Sequence, residues 1–229
     1  IDLRNNVLNG KISTFIGQLH RLQYLYLSDN WLTSTIPTEI GLLPSLKWIY
    51  LTENRLSGTI PSEIWSRTEL EWLYLNVNNF TGSIADRIGY LKILSELFLD
   101  GNDFTGTIPN GLFQLRSLKT LSLDSNMFSG TLSSRLGLLE SLTTLNLFGN
   151  LFSGSVPSEI GALSSLEELY LHDNALYGIM PSQICNIPSI NDPGTEWFFC
   201  ADCGNSTLSN ECSCCTSCYN YDEGACIQV

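Results

Sequence analysis

The sequence predicts an α/β solenoid: a right-handed superhelix with a parallel β-sheet on its concave face and 3₁₀ or irregular segments on its convex face. Three observations predict it. Asn recurs at 6, 30, 54, 78, 102, 126, 150 and 174, a constant step of 24 residues. Leu stands three residues before each Asn, from Leu3 to Leu171, and another apolar residue stands two before that, from Ile1 to Leu169. Two residues after each Asn comes Leu8, Leu32, Leu56, Phe80, Phe104, Phe128, Phe152 or Leu176. Eight registers without an insertion mark a repeat architecture, in which residues one period apart become neighbours.

Each piece of the unit has its own physical reason. The L-x-L segment alternates with period two, as a short strand does when it buries every second side chain. One such strand cannot bury its apolar face alone. Stacking eight of them at about 4.8 Å builds a sheet roughly 34 Å wide. The Asn leaves the strand into a turn, where its amide can bond backbone groups that would otherwise be unpaired. The Gly-x-Ile-Pro segment then turns the chain onto the convex side, with Pro fixing φ.

The stretch from Leu46 to Leu70 is a clean unit, with Leu51, Asn54, Leu56, Gly58, Ile60, Pro61 and Ile64 in place. This pattern resembles the leucine-rich repeat family, in its plant-type class with the L-x-G-x-[IL]-P segment, over residues 1 to about 190. Departures are local. Ala85 and Ser133 replace the Pro, Trp65 and Phe113 replace the Gly before x-L, and Ser34 replaces the Gly of the third segment. The Asn, Leu and Phe columns are read as structural. The resemblance implies an extracellular or cell-surface protein, of a kind that binds peptides, partner proteins or cell-wall glycans.

Charge narrows the partners. With 11 Lys and Arg against 23 Asp and Glu, the net charge of −12 lacks the basic footprint that nucleic acid requires. Residues 136–229 hold 11 acidic residues and no Lys or Arg. That acidity reads as a solvated face; the sharper alternative is a cationic partner or calcium. No run of about 18 apolar residues exists, so no membrane segment is expected in this chain.

The two ends differ. The chain begins at Ile1-Asp2-Leu3, inside a strand motif and without a capping segment, so a piece of a longer protein is expected. Residues 1–185 are assigned to eight 24-residue repeats, the first truncated, and 186–229 to a C-terminal cap. All eight cysteines lie at or beyond the junction: Cys185, Cys200, Cys203, Cys212, Cys214, Cys215, Cys218 and Cys226. The run from Glu211 to Cys218 is similar to the caps of secreted algal leucine-rich-repeat proteins. Cys200-x2-Cys203 and Cys215-x2-Cys218 also imitate a zinc ribbon. The even count, the confinement to one segment and the extracellular family favour disulfides, whose pairing stays open. Asn79 and Asn205 head N-x-[ST] sequons and are candidate glycosylation sites.

The columns flanking the buried strand leucines carry no structural requirement, so their composition is informative. Tyr24, Tyr26, Trp48, Tyr50, Trp72, Tyr74 and Phe98 fall together there, beside Glu96, Asp100 and Asp124. Stacking between rungs would account for part of this. A patch of several hundred Å² is nonetheless more than a soluble monomer usually leaves bare, and Trp and Tyr are favoured binding anchors. The preferred reading is an extracellular module that recognises a protein, peptide or glycan through this patch. Its acidic edge favours a ligand with a positive group. The alternative is a structural, adhesion or assembly component that self-associates. Ice binding is a third reading, resting on flank hydroxyls such as Thr33-x-Thr35, Thr105-x-Thr107 and Ser129-x-Thr131.

An enzyme is not expected. His20 is read as solvated on a convex loop, and His172 has no nucleophile in the neighbouring registers, where Phe148 sits beside it. Asp100 and Asp124, on adjacent rungs, could hold calcium or raise one another's pKa, but surface acidity is the simpler account. No catalytic residue, resident metal or cofactor is assigned.

Overall fold

Each unit after the first forms a three-residue strand, a second short strand and a convex 3₁₀ turn, in that order. The computed structural model describes residues 1–178 and 180–187, and beyond them only the backbone of Phe198–Ala201, Ser217–Asn220 and Ala225–Gln228. The strands Tyr24–Tyr26, Trp48–Tyr50, Trp72–Tyr74, Glu96–Phe98, Thr120–Ser122, Thr144–Asn146 and Glu168–Tyr170 lie parallel, each residue facing its counterpart 24 positions away. In the first unit the strand is reduced to one bridge, Asp2 to Tyr26. At the other end Phe198–Ala201 continues the sheet beside Glu168–Tyr170. Ser217–Asn220 follows, and antiparallel Ala225–Gln228 completes ten strands.

A second parallel sheet of eight strands runs along the flank, from Asn9–Gly10 to Ala175–Leu176. Sequence reading treats this stretch only as a turn. Its strands are two to five residues long, too short for alternation to be visible, and they hold because each pairs with the same stretch of the next unit. The register here is offset: Thr33 faces Arg55 and Ser57 faces Asn79, a step of 22.

Between the sheets and the 3₁₀ turns runs one continuous core. The strand leucines from Leu25 to Leu171 are buried, and Phe80, Phe104, Phe128 and Phe152 stack at 6.0–6.4 Å. In the first unit the same columns are open: Ile1 is 48% and Leu3 44% exposed. The Asn column does what its position demands. Nδ2 of Asn102 donates to the carbonyls of Leu75, Leu99 and Asp100 at 3.0–3.1 Å, and Oδ1 accepts from the Phe80 N–H at 2.9 Å. Asn54, Asn78, Asn126 and Asn150 repeat this pattern, so each Asn ties its own unit to the preceding one at buried backbone.

The convex turns register the sequence departures. Five-residue turns such as Thr38–Leu42 and Asp86–Tyr90 carry Gly in the register where Trp65 and Phe113 stand. At Gly41 a Cβ would lie 2.6 Å from the Glu63 carbonyl carbon, so the approach of neighbouring turns requires glycine there. Trp65 and Phe113 instead turn inward, 1% and 4% exposed, and their turns shorten to Ile64–Ser66 and Leu112–Gln114. Cys185, in the same register, also sits in a three-residue turn, Ile184–Asn186.

Candidate functional site

The concave strands aim their flanking side chains away from the core, because the alternate leucines point into it. In-register pairing then lines up like columns. Tyr24, Trp48 and Trp72 form one row, with ring centroids 4.3 and 4.1 Å apart, the two indoles stacked with planes 16° apart. Tyr26, Tyr50, Tyr74 and Phe98 form the second, at 4.9, 4.2 and 4.6 Å. The rows meet edge to face, at 6.3 Å for both Tyr26–Trp48 and Tyr50–Trp72. The structure thus brings all seven predicted aromatic residues into one ladder. Each ring is half-buried, because its neighbour covers part of its face.

Polar groups fix the ladder at its margins. Glu96 closes the first row, and its carboxylate accepts the Tyr74 hydroxyl. Burial, reinforced by that carboxylate, raises the Tyr74 pKa well above the ordinary phenol value. Glu71 accepts the Trp48 indole N–H at 3.1 Å and the Lys47 ammonium at 3.0 Å. Those two bonds lower its pKa. Lys47 and Glu71 were not among the expected site residues. Their signal is legible in retrospect: opposite charges one period apart occupy adjacent rungs. At the first turn Arg4 lies 4.7 Å over the Tyr26 ring while paired to Asp2 at 2.8 Å.

Beside the second row runs a polar strip. The Thr52 hydroxyl donates to Asn76 Oδ1 at 2.7 Å, while Asp124 Oδ1 accepts from Ser122 at 2.7 Å and from Asn146 at 2.8 Å. Asp100 lies between these groups. Its pKa is pushed up to about 6, first by burial and then by the neighbouring Asp124 carboxylate, while hydrogen bonds from Ser122 and Asn76 oppose the rise. One of its oxygens, Oδ1, is buried without a hydrogen-bond partner. Glu96, Asp100 and Asp124 lie together at the far end of the ladder.

A smaller aromatic group occupies the last described turns. His172, 6% exposed, stacks on Phe148 at 4.4 Å, with Tyr170 edge-on at 6.4 Å. His20 is exposed on the convex side. Among the described residues no three His, Cys, Asp or Glu side chains converge as metal ligands. Asn79 is exposed on the second sheet, and Thr35, Thr59, Thr107 and Thr131 are exposed along the same flank. Asn205, Cys203, Cys212, Cys214 and Cys215 lie outside the described residues, as do the side chains of Cys200, Cys218 and Cys226.

Known proteins share this architecture. A family model described as leucine-rich repeat region matches residues 1–148, and one described as Leucine Rich Repeat matches 141–163 and 165–187. No curated protein matches the sequence. Among solved structures, the plant peptide hormone receptor RGFR1 in complex with RGF2 is 36% identical with a TM-score of 0.79, over 86% of this chain and 30% of that one. The Arabidopsis receptor kinase HAESA ectodomain, in complex with an N-terminally extended IDA peptide hormone, is 28% identical with a TM-score of 0.81, over 98% of this chain and 38% of that one. A plant ice-binding protein shares the fold at 23% identity and a TM-score of 0.64, over 92% of this chain and 75% of that one. The chain spans about a third of the length of the two receptors.

Proposed function

This chain belongs to the leucine-rich repeat family, and on that premise we propose that it is a recognition module of the cell surface or extracellular space that binds a peptide along its concave sheet. The carrying observation is the two-row ladder from Tyr24 to Phe98, bounded by Glu96, Asp100 and Asp124. Rings held by their neighbours lose little freedom on binding, so their contact area converts efficiently into affinity. Trp48 and Trp72 supply the central anchor, and the acidic border takes a cationic side chain or amino terminus. The peptide complexes of the two receptor neighbours support this reading.

The cap and the sequon belong to the same proposal. Residues 186–229 close the solenoid as a disulfide-stapled cap, a reading supported by Cys185, which is disulfide-bonded. The exposed Asn79 carries a glycan on the flank, away from the aromatic ladder.

The test is selection of a random displayed-peptide library on the purified chain, repeated with Trp48→Ala/Trp72→Ala. Enrichment of peptides combining an aromatic or apolar residue with Lys or Arg, lost in the folded double variant, is the expected result. Equal enrichment on both proteins, or none on either, overturns the proposal.

A further inference from the structure

The proposed peptide site leaves unused the cations on the convex face of the middle units. Lys92, Arg116 and Arg135 line one recess of about 370 Å³ beside the turn Leu112–Gln114. Its shape has a local cause. The Phe113 ring takes the usual glycine register and turns inward, and Gly111 stands where the adjacent units carry Arg87 and Arg135. No side chain can replace it: its N–H donates to Asp86 Oδ1 at 2.7 Å, and a Cβ would lie 1.9 Å from the Asp86 carbonyl oxygen.

The cations are held mainly by neutral acceptors. Lys92 Nζ donates to Gln114 Oε1 at 2.8 Å, and Arg135 Nη1 donates to Asn110 Oδ1 at 2.9 Å. Arg116 donates to the Leu138 carbonyl and pairs at 3.1 Å with Glu140, whose side chain is 76% exposed. Among the described residues these three cations make one ion pair, with the solvated Glu140 carboxylate, while Asp86 is engaged by the Gly111 N–H; the chain's net charge is −12. The Asn110 and Gln114 amide N–H groups are not engaged in those bonds, and Leu138 offers an exposed apolar flank.

We propose that this recess binds an acidic sugar unit of a polysaccharide. The carboxylate or sulfate of the sugar meets Arg135 and Lys92, whose charge-assisted bonds are the strong ones available. Its hydroxyls accept from Asn110 and Gln114, and its C–H face lies on Leu138. The volume falls within the roughly 300–1,000 Å³ typical of small-ligand sites. Because the whole chain repels anions at long range, recognition depends on these short-range contacts.

The test is calorimetric titration of the full chain with a uronic-acid oligosaccharide, a sulfated oligosaccharide, a neutral oligosaccharide of equal length, and inorganic sulfate. One acidic oligosaccharide is expected to bind at least tenfold tighter than the neutral one and tenfold tighter than bare sulfate; which one identifies the oxyanion. Lys92→Gln/Arg135→Gln, melting as the wild type does, weakens that binding at least tenfold, whereas Trp48→Ala/Trp72→Ala leaves it unchanged. Should the first pair disturb folding, Leu138→Glu places a carboxylate in the recess and gives the same loss. Equal binding of acidic and neutral oligosaccharides, sulfate binding as tight as the oligosaccharide, no binding at all, or full affinity in the recess variants overturns the proposal. The concave peptide site stands or falls separately.

Discussion

The indole of Trp48 lies 4.1 Å from that of Trp72, planes 16° apart, and its N–H is held by Glu71, which immediately precedes the strand that carries Trp72. The two rings are therefore at once structural, as a stack between rungs, and available, as part of a half-buried surface.

That contact should be measurable without any ligand. Trp48→Ala and Trp72→Ala, alone and combined, form a double-mutant cycle in urea unfolding. An aromatic stack is worth about 0.5–1.5 kcal/mol beyond its area, and coupling in that range is expected. Additive effects would show that the rings do not support one another.

The Asn column should be costly to disrupt in the interior and cheap at the first turn. Asn102→Leu removes three donated bonds and one accepted bond at buried backbone. Each buried group left unsatisfied costs about 1–3 kcal/mol, so a loss of about 3 kcal/mol or more is expected. The Asn6 side chain donates to the carbonyls of Leu3 and Arg4 at exposed positions, and Asn6→Leu should cost under about 1 kcal/mol. Equal shifts in the urea midpoint would refute the distinction.

Seven described non-glycine residues have positive φ, and at two of them a substitution has a clear way to release the backbone strain. Ser34 has φ 72° in a column otherwise filled by glycine, and Val77 has φ 55°, a left-handed conformation unfavourable to a β-branched residue. Ser34→Gly and Val77→Asn should each stabilise the chain by roughly 1 kcal/mol, seen as a raised melting temperature. Destabilisation by either would contradict the assigned backbone.

Asp100 gives a signed pH dependence. Its pKa rises from 3.8 to about 6 on folding, so across that window the folded chain keeps a proton that the unfolded chain has released. This group's contribution is therefore most favourable at low pH and declines as pH rises toward about 6. Asp100→Asn should raise the melting temperature at pH 7.5, with the gain vanishing near pH 4. A gain independent of pH would locate the effect elsewhere.

The repeat period, the buried columns and the membership of the aromatic ladder were legible in sequence because a 24-residue step turns distance along the chain into adjacency in space. Tyr24, Trp48 and Trp72 needed no coordinates to be placed in one row. Lys47 and Glu71 were missed because they flank the strand, where no alternation flags a side chain as part of the surface. The convex recess was missed because it depends on Gly111 and Phe113 exchanging the usual small and large positions, a local change in turn path that periodicity averages away.

The sequence by itself determined which residues stack on which, since strand pairing in constant register leaves that no freedom. Only the tertiary structure decided the flank sheet, whose strands are too short to signal themselves, and the raised pKa of Asp100, which depends on burial and on how close Asp124 comes. It also decided the meeting of Lys92, Arg116 and Arg135 over one convex turn. Burial, approach and ring orientation are sums over many packed neighbours, and no single column of residues contains them.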